Sequence, residues 1–136
     1  NDTKKKLIQN LLETMGTVIW LRNERLFDPL TAISGSGPAY FFLIYLIMKN
    51  VARDLGFSNK IANDLVYLTA KGSIKIYGKN NNLEKLIEDV TSPGGTTEAA
   101  LKVLTKKKPN LMSILKKAIL AANKRSFILG KNAKRL

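Results

Sequence analysis

The sequence predicts one mainly α-helical domain, preceded by a short helix and a short strand. Its 136 residues, of which 45% are apolar, are enough for one hydrophobic core and few for two. From Pro29 onward the apolar residues recur at helical spacing, between breaks formed by glycine, proline and asparagine. The run that is typical of a strand, residues 17–21, lies before that point.

The N-terminal segment is expected to form a helix and then a strand. Gly16 is predicted to end the helix, and residues 17–21 to form the strand. A lone helix and strand cannot bury both of their faces, so this pair needs a partner that the predicted fold does not supply. The helix is predicted from apolar side chains at helical spacing, namely Leu7, Leu11, Leu12 and Met15.

A loop is predicted to lead into a strongly apolar helix. Pro29 is expected to break the chain, and residues 34–38 are expected to form a loop whose proline suits the first turn of a helix. That helix is predicted to run from Pro38 to about Leu55. Residues 39–48 are apolar on every side, so other protein must surround this half of the helix.

Four further helices are predicted, each with a polar residue that can cap its first turn. Gly56 is predicted to end the helix before them, and Gly130 to end the last one. The caps are Ser58, Asn82, Thr96 or Thr97, and Asn110. The helix that Ser58 caps is predicted to end near Tyr77. The other three are predicted to cover residues 83–90, 97–105 and 111–129.

Composition removes several classes of chemistry. The chain has neither cysteine nor histidine, which excludes disulfides, thiol or imidazole catalysis and most zinc sites. We therefore predict no metal site. Any chemistry must use hydroxyls, carboxylates, amines or backbone amides.

The net charge of +13 first suggests a nucleic acid or an anionic surface as partner. The charge is concentrated near the end of the chain, since residues 101–136 hold eleven basic and no acidic side chains. These are mostly lysines with few aromatic residues among them, whereas nucleic-acid surfaces favour arginine and interleaved aromatics. A solvated helix face and tail is the favoured interpretation, with binding of nucleic acid or another anion as an alternative.

No targeting or membrane-spanning segment is predicted. The first six residues contain no apolar signal core. The longest apolar run, residues 39–48, is shorter than the roughly 20 residues that span a bilayer. We therefore expect a cytoplasmic protein without a membrane partner.

The first glycine-rich segment, at residues 34–38, resembles a dinucleotide-binding sequence only weakly. Gly35 and Gly37 have the right spacing, but Tyr40 stands where a third glycine is needed, and Pro38 has no amide hydrogen for a phosphate. A tight turn that starts the apolar helix is the simpler interpretation. Close approach of a flat ligand is the alternative.

The second glycine-rich segment, Ser-Pro-Gly-Gly-Thr-Thr at residues 92–97, lies just before a predicted helix. Free amides and the positive dipole end of a helix can bind a carboxylate or a phosphate. Hydroxyls of Ser92 and Thr97 would orient the rest of such a ligand. An ordinary helix cap, with Thr96 or Thr97 satisfying the backbone, fits the sequence equally well.

Taken together, the two segments resemble the C-terminal half of pyrroline-5-carboxylate reductase. The resemblance covers essentially the whole chain. It rests on Thr-Ala-Ile-Ser-Gly-Ser-Gly-Pro-Ala-Tyr at residues 31–40 and Asp-Val-Thr-Ser-Pro-Gly-Gly-Thr-Thr-Glu-Ala-Ala-Leu at residues 89–101, with shorter matches at 16–20, 25–28 and 122–126.

The resemblance implies a helical dimerisation domain of the type found at the C-terminus of 6-phosphogluconate dehydrogenase. Residues 27–136 would form this domain and residues 1–26 the end of a truncated Rossmann domain. The family reduces pyrroline-5-carboxylate to proline with NADPH or NADH, and it forms homodimers or higher oligomers through the helical domain. This chain alone is expected neither to bind the cofactor nor to be active. An inert dimerisation module or a gene remnant is the alternative.

The resemblance also assigns roles to residues of both segments. Ser92 and the amides of Gly95, Thr96 and Thr97 would bind the substrate carboxylate. The Thr97 hydroxyl would be the catalytic group, because it would hydrogen-bond the ring nitrogen. The residues bordering the substrate and the nicotinamide would be Ser34, Gly35, Ser36, Gly37, Pro38 and Ala39.

Overall fold

A computed structural model describes residues 2–106 and 108–133, and it confirms the mainly α-helical prediction. Seven α-helices are described, with a 3₁₀ turn at Glu24–Leu26 before the second and a π-helical turn at Thr31–Gly35 after it. They are α1 (Asp2–Glu13), α2 (Phe27–Leu30), α3 (Gly37–Asp54), α4 (Asn59–Tyr77), α5 (Leu83–Asp89), α6 (Thr96–Lys106) and α7 (Leu111–Ala133).

The predicted strand at residues 17–21 does not form within the described part of the chain. A strand needs a neighbouring strand for its backbone hydrogen bonds, and none is described. This segment instead folds back on α1, where the Trp20 indole N–H donates to Gln9 Oε1 at 3.0 Å. The Lys5 ammonium lies 4.9 Å from the centre of the Trp20 ring. Helix α1 ends at Glu13, before the predicted stop at Gly16.

Two predicted breaks, at Pro29 and at residues 34–38, are wrong because the chain stays helical there. Pro29 lies in the first turn of α2, where a backbone N–H would have no intrahelical partner. The Ser36 amide donates to the Thr31 carbonyl at 2.9 Å, which is the hydrogen bond of a π-helical turn. Pro38 lies in the first turn of α3, as predicted.

Helices α3 and α4 form a hairpin whose turn is set by Gly56. Gly56 has a φ of +102°. Two hydrogen bonds around it form a Schellman motif: the Gly56 amide donates to the Arg53 carbonyl at 2.9 Å, and the Phe57 amide donates to the Ala52 carbonyl at 3.1 Å. The Ser58 hydroxyl then accepts from the Ile61 amide at 3.3 Å. The predicted stop and cap are therefore both confirmed.

Helix α7 connects the second half of the chain to the first. It packs against α2, against the π-helical turn and against α6. The Ser126 hydroxyl donates to Asp28 Oδ1 at 2.7 Å, joining the two ends of the domain. The Asn110 side chain caps α7 through the Ser113 amide at 2.9 Å. Gly130 does not end α7, which continues to Ala133 because this glycine keeps a helical conformation.

The folded chain leaves most of its apolar side chains exposed. Its accessible surface is 11,955 Å², about 1.7 times the surface of roughly 7,100 Å² expected for a globular chain of its mass. Among apolar side chains of the described residues, only Ala32, Ala62 and Val66 are buried. Helix α3, which the sequence predicts to be surrounded, exposes Phe42 by 67%. A single chain therefore does not supply the cover that α3 needs.

One described helical segment, Glu24–Asp54, is long and apolar enough to span a membrane by length and composition, with a mean hydropathy of 1.5 over its most apolar window. The uninterrupted apolar run, residues 39–48, is shorter because Pro38 precedes it and Lys49 follows it. A core helix of a soluble protein has the same properties. Length and composition alone therefore do not distinguish a membrane span from a helix covered by protein.

Replacement of Gly56 by alanine should destabilise the fold. A side chain at a φ of +102° costs about 1–2 kcal/mol, and the free energy of unfolding in urea, at fixed protein concentration, measures this cost. Gly130→Ala is the matched control, because Gly130 is helical and an added Cβ meets no atom within 4 Å. The control should be neutral or stabilising by up to about 1 kcal/mol. Equal effects of the two substitutions would contradict the role of Gly56.

Candidate functional site

The second glycine-rich segment forms a tight turn between α5 and α6. The Gly95 amide donates to the Ser92 carbonyl at 3.0 Å, closing the turn. Gly94 has a φ of +72°, a conformation that favours glycine. A Cβ on Gly95 would lie 3.0 Å from the Ser92 carbonyl oxygen. The turn that leads into α6 thus favours glycine at both positions.

Backbone donors are free at the start of α6. The first hydrogen bond of this helix is from the Ala99 amide to the Gly95 carbonyl at 3.2 Å. The amides of Thr96 and Thr97 come before Ala99 in the chain and have no hydrogen-bond partner among the described residues. Together with the positive end of the helix dipole they can bind a carboxylate or a phosphate. The Gly95 amide is used within the turn, so Gly95 contributes its small size rather than a free donor.

The hydroxyls of Ser92, Thr96 and Thr97 make no hydrogen bond to the described residues. Other hydroxyls of the chain do, for example Thr91 to the Ile87 carbonyl at 2.6 Å and Thr105 to the Leu101 carbonyl at 2.7 Å. Ser92 and Thr96 are exposed and Thr97 is half-buried. The ordinary-cap alternative, in which Thr96 or Thr97 satisfies its own helix, therefore does not describe this turn.

The residue that ties this turn to α6 is Glu98, which the sequence analysis did not single out. One of its oxygens, Oε2, accepts from the Gly94 amide at 2.6 Å. The other, Oε1, lies 2.8 Å from the Lys102 ammonium. The hydrogen bond from Lys102, with that from Gly94, holds the pKa of the Glu98 carboxyl below its usual value. No capping box predicted this contact, because the residue three positions before Glu98 is Gly95 rather than serine or threonine, and Glu98 bonds the Gly94 amide instead.

The first glycine-rich segment is part of a continuous helix rather than a loop. Gly37 is buried and Ser36 half-buried, while Ser34, Gly35, Pro38 and Ala39 are exposed. The carbonyl of Ala32 is displaced from regular helical bonding by the π-helical turn, and it accepts from the Tyr40 hydroxyl at 3.1 Å. Tyr40, at the position of the missing third glycine, thus stabilises this turn.

The same segment does not fit the diphosphate of a dinucleotide. Gly37 lies within helical backbone, Pro38 has no N–H, and Tyr40 fills the place of the third glycine. Beside it is an open, mostly apolar depression of about 430 Å³. Its lining includes Ile33, Ser34, Gly37, Pro38, Phe41 and Phe42. This surface suits the flat apolar face of a ligand better than a phosphate.

The two segments are joined through α7 in the folded chain. Helix α6 packs on α7, and the π-helical turn packs on α7 and on α3. The principal contacts do not bring residues 92–97 against residues 34–39. The structure thus describes two separate surfaces in one chain, a helix start with free donors and an apolar depression.

These features define a class of protein: an all-helical domain with large uncovered apolar faces and a glycine-rich helix start whose first backbone amides are free. A family model described as pyrroline-5-carboxylate reductase dimerisation matches residues 24–129. The chain belongs to this family.

Named relatives agree with this assignment. The pyrroline-5-carboxylate reductase of Pseudomonas aeruginosa is 39% identical over 118 residues, which cover 85% of this chain and 42% of that protein. The pyrroline-5-carboxylate reductase 2 of Bacillus subtilis is 41% identical over 95 residues, covering 69% of this chain and 34% of the relative. The chain therefore spans less than half the length of these curated relatives.

Solved structures show the same fold. A pyrroline-5-carboxylate reductase from Coxiella burnetii superposes with a TM-score of 0.86 at 36% identity, covering 95% of this chain and 47% of that one. The pyrroline carboxylate reductase of Plasmodium falciparum, solved with NADP bound, has a TM-score of 0.83 at 30% identity, covering 96% of this chain and 49% of that one. The resemblance inferred from the two glycine-rich segments is thus confirmed.

The contacts of the Glu98 carboxylate with the Gly94 amide and Lys102 should weaken in acid. Because the pKa of Glu98 is lowered in the folded chain, its contribution to stability is complete above the unfolded pKa of about 4.3 and is lost as the pH falls through the folded value. Urea unfolding of the chain and of Glu98→Gln at pH 7 and pH 3 measures this. The difference between the two proteins should shrink at pH 3. A difference that stays constant would show that Glu98 ionisation does not stabilise the turn.

Proposed function

We propose that this chain is the dimer-forming, substrate-holding C-terminal part of a pyrroline-5-carboxylate reductase. In this proposal it serves the reduction of 1-pyrroline-5-carboxylate to proline, the last step of proline biosynthesis, with NADPH or NADH as the reductant, in the cytoplasm. The observation that carries the proposal is the start of α6, where amides and hydroxyls of residues 92–97 remain free in a member of the reductase family.

The substrate is a small ring that bears a carboxylate next to an imine nitrogen. The free amides of Thr96 and Thr97 would donate to the carboxylate, with the Ser92 hydroxyl beside them. The Thr97 hydroxyl would hydrogen-bond the ring nitrogen and favour its protonated form, which accepts hydride more readily. This division of roles needs no histidine or cysteine, and the chain has neither.

Residues 34–39 lie apart from residues 92–97 within one chain, so in this proposal they would border the ring and the reductant from the second copy of the dimer, without binding the dinucleotide diphosphate. The open apolar depression beside Gly37 and Pro38 supports this role, and so does the poor fit of the segment to a phosphate cradle. The dinucleotide would be bound by a domain other than residues 27–136. Pairing with such a domain would complete the enzyme.

Residues 1–26 would belong to that nucleotide-binding domain. The family match begins at residue 24, and the elements before it make no principal packing contact with the helices after it. Helix α1 exposes Leu7 by 72% and Leu11 by 68%. A helix with an exposed apolar face, followed by an unpaired extended segment, is what a fragment of a larger α/β sheet would leave.

A second copy of the chain would cover the apolar face of α3 and α4. The surface in excess of a globular chain of this mass, roughly 4,900 Å² per chain, is more than the roughly 1,000–2,500 Å² that each partner of an obligate dimer buries, so it is large enough for a second copy and for a further domain. The exposed side chains on these helices include Phe41, Phe42, Leu46, Ile61 and Leu65. The family description as a dimerisation domain supports the same partner. Higher oligomers would extend from this dimer.

Substitution of Thr97 should weaken ligand binding. Loss of its hydroxyl removes one hydrogen bond of about 1 kcal/mol, so Thr97→Ala should reduce the affinity for proline, measured by calorimetry, about fivefold. Thr105→Ala is the matched control on the same helix, because its hydroxyl bonds the Leu101 carbonyl instead. The control should bind proline unchanged. Binding that is equal in both variants would contradict the role of Thr97, and a dimer that binds no proline would favour the inert-module alternative.

A charge on α3 should separate the dimer. Phe42 is 67% exposed in the single chain, and burying a carboxylate at an apolar interface is strongly unfavourable. Sedimentation should therefore show a dimer for the unsubstituted chain and a monomer for Phe42→Asp. Leu7→Asp is the control, since Leu7 is similarly exposed but lies outside the matched residues 24–129. A monomeric unsubstituted chain would disprove the dimer.

A further inference from the structure

We propose that Glu98, held by Lys102, is a positioning residue for the turn at residues 92–97. The inference rests on the proposed function, because it concerns the same turn. Glu98 does not itself contact the substrate in this proposal. It pairs the Gly94 amide, and this leaves the hydroxyls beside it available to the ligand.

The geometry gives Glu98 two separate anchors. Oε2 accepts from the Gly94 amide at 2.6 Å, outside the helix. Oε1 binds the Lys102 ammonium at 2.8 Å, one helical turn further along α6. The Glu98 side chain is 34% exposed, less than the 51% of Lys102. One carboxylate therefore ties the turn to the body of the helix.

The turn needs such an anchor because its backbone is unusual. Gly94, with a φ of +72°, would otherwise present an unpaired amide next to the free amides of Thr96 and Thr97. Threonine and serine hydroxyls are good caps for helix starts. Without the Glu98 carboxylate, one of the hydroxyls of Ser92, Thr96 or Thr97 would turn toward the unpaired Gly94 amide. That hydroxyl would then no longer point to a ligand.

Competition between the Glu98 carboxylate and the neighbouring hydroxyls for the Gly94 amide separates a positioning role from a merely structural one. A structural cap would affect the stability of the chain and leave ligand affinity unchanged in the folded fraction. A positioning residue affects affinity even where the chain remains folded. A glutamine at this position keeps an oxygen that can accept from the Gly94 amide, so it should largely rescue binding.

The test compares Glu98→Ala and Glu98→Gln in the complete 136-residue chain, with proline as the probe. Calorimetry should show about tenfold weaker proline binding for Glu98→Ala and no more than about threefold for Glu98→Gln. Hydrogen exchange of the Gly94 amide should accelerate in Glu98→Ala. Exchange of the Gly95 amide, which bonds the Ser92 carbonyl, should stay slow.

Asp64→Ala is the matched control, because it removes an exposed ion pair between a lysine and a carboxylate four residues apart on α4, Lys60 to Asp64 at 3.2 Å. It should leave both readouts unchanged. If Glu98→Ala does not fold, Lys102→Met replaces it and should weaken proline binding about threefold.

The outcomes distinguish the two proposals. Proline binding that is unchanged in Glu98→Ala, or in Lys102→Met when that variant replaces it, overturns the positioning role and leaves the proposed function standing. Unchanged exchange of the Gly94 amide in Glu98→Ala overturns the geometry on which the role depends. An unsubstituted chain that binds no proline overturns both the positioning role and the proposed substrate site.

Discussion

The structure is governed by an apolar surface that the chain cannot bury by itself. Helices α3 and α4 pack on each other along one face, yet only Ala62 and Val66 of α4 become buried among their apolar side chains. Burial of apolar area is the main favourable contribution to folding, at about 25 cal/mol per Å². Much of this contribution is unused in a single chain, so a partner that covers this surface would stabilise the fold.

The hydrogen-bonded elements, in contrast, are largely complete within one chain. Asn82 caps α5 through the Lys85 amide, and Asn110 caps α7 through the Ser113 amide. The Schellman motif at Gly56 ends α3. Local structure is therefore encoded locally, whereas most apolar side chains of the described residues are not covered within one chain. This explains how helices with ordinary caps coexist with an unusually large accessible surface.

Local signals in the sequence predicted most of the helices, and they were least reliable at proline and glycine. Ser58, Asn82 and Asn110 were correct as caps because a cap depends only on neighbouring backbone. Pro29 and Gly130 were wrong as breaks because both residues are compatible with helical backbone where they stand. The strand at residues 17–21 could not form without partner strands. The candidate site followed from the glycine-rich sequence at 92–97, while the contribution of Glu98 required the side-chain geometry.

The π-helical turn at Thr31–Gly35 affects more than the residues within it. A π-helical turn accommodates one extra residue, and one residue in an α-helix corresponds to a rotation of about 100°. The segment before the turn packs on α7 of the same chain, and the helix after it packs on α4. A nearly continuous helix thus changes the direction of its side chains at one point. Its first part packs on α7 of the same chain, and its second part packs on α4 and leaves Phe41 and Phe42 exposed.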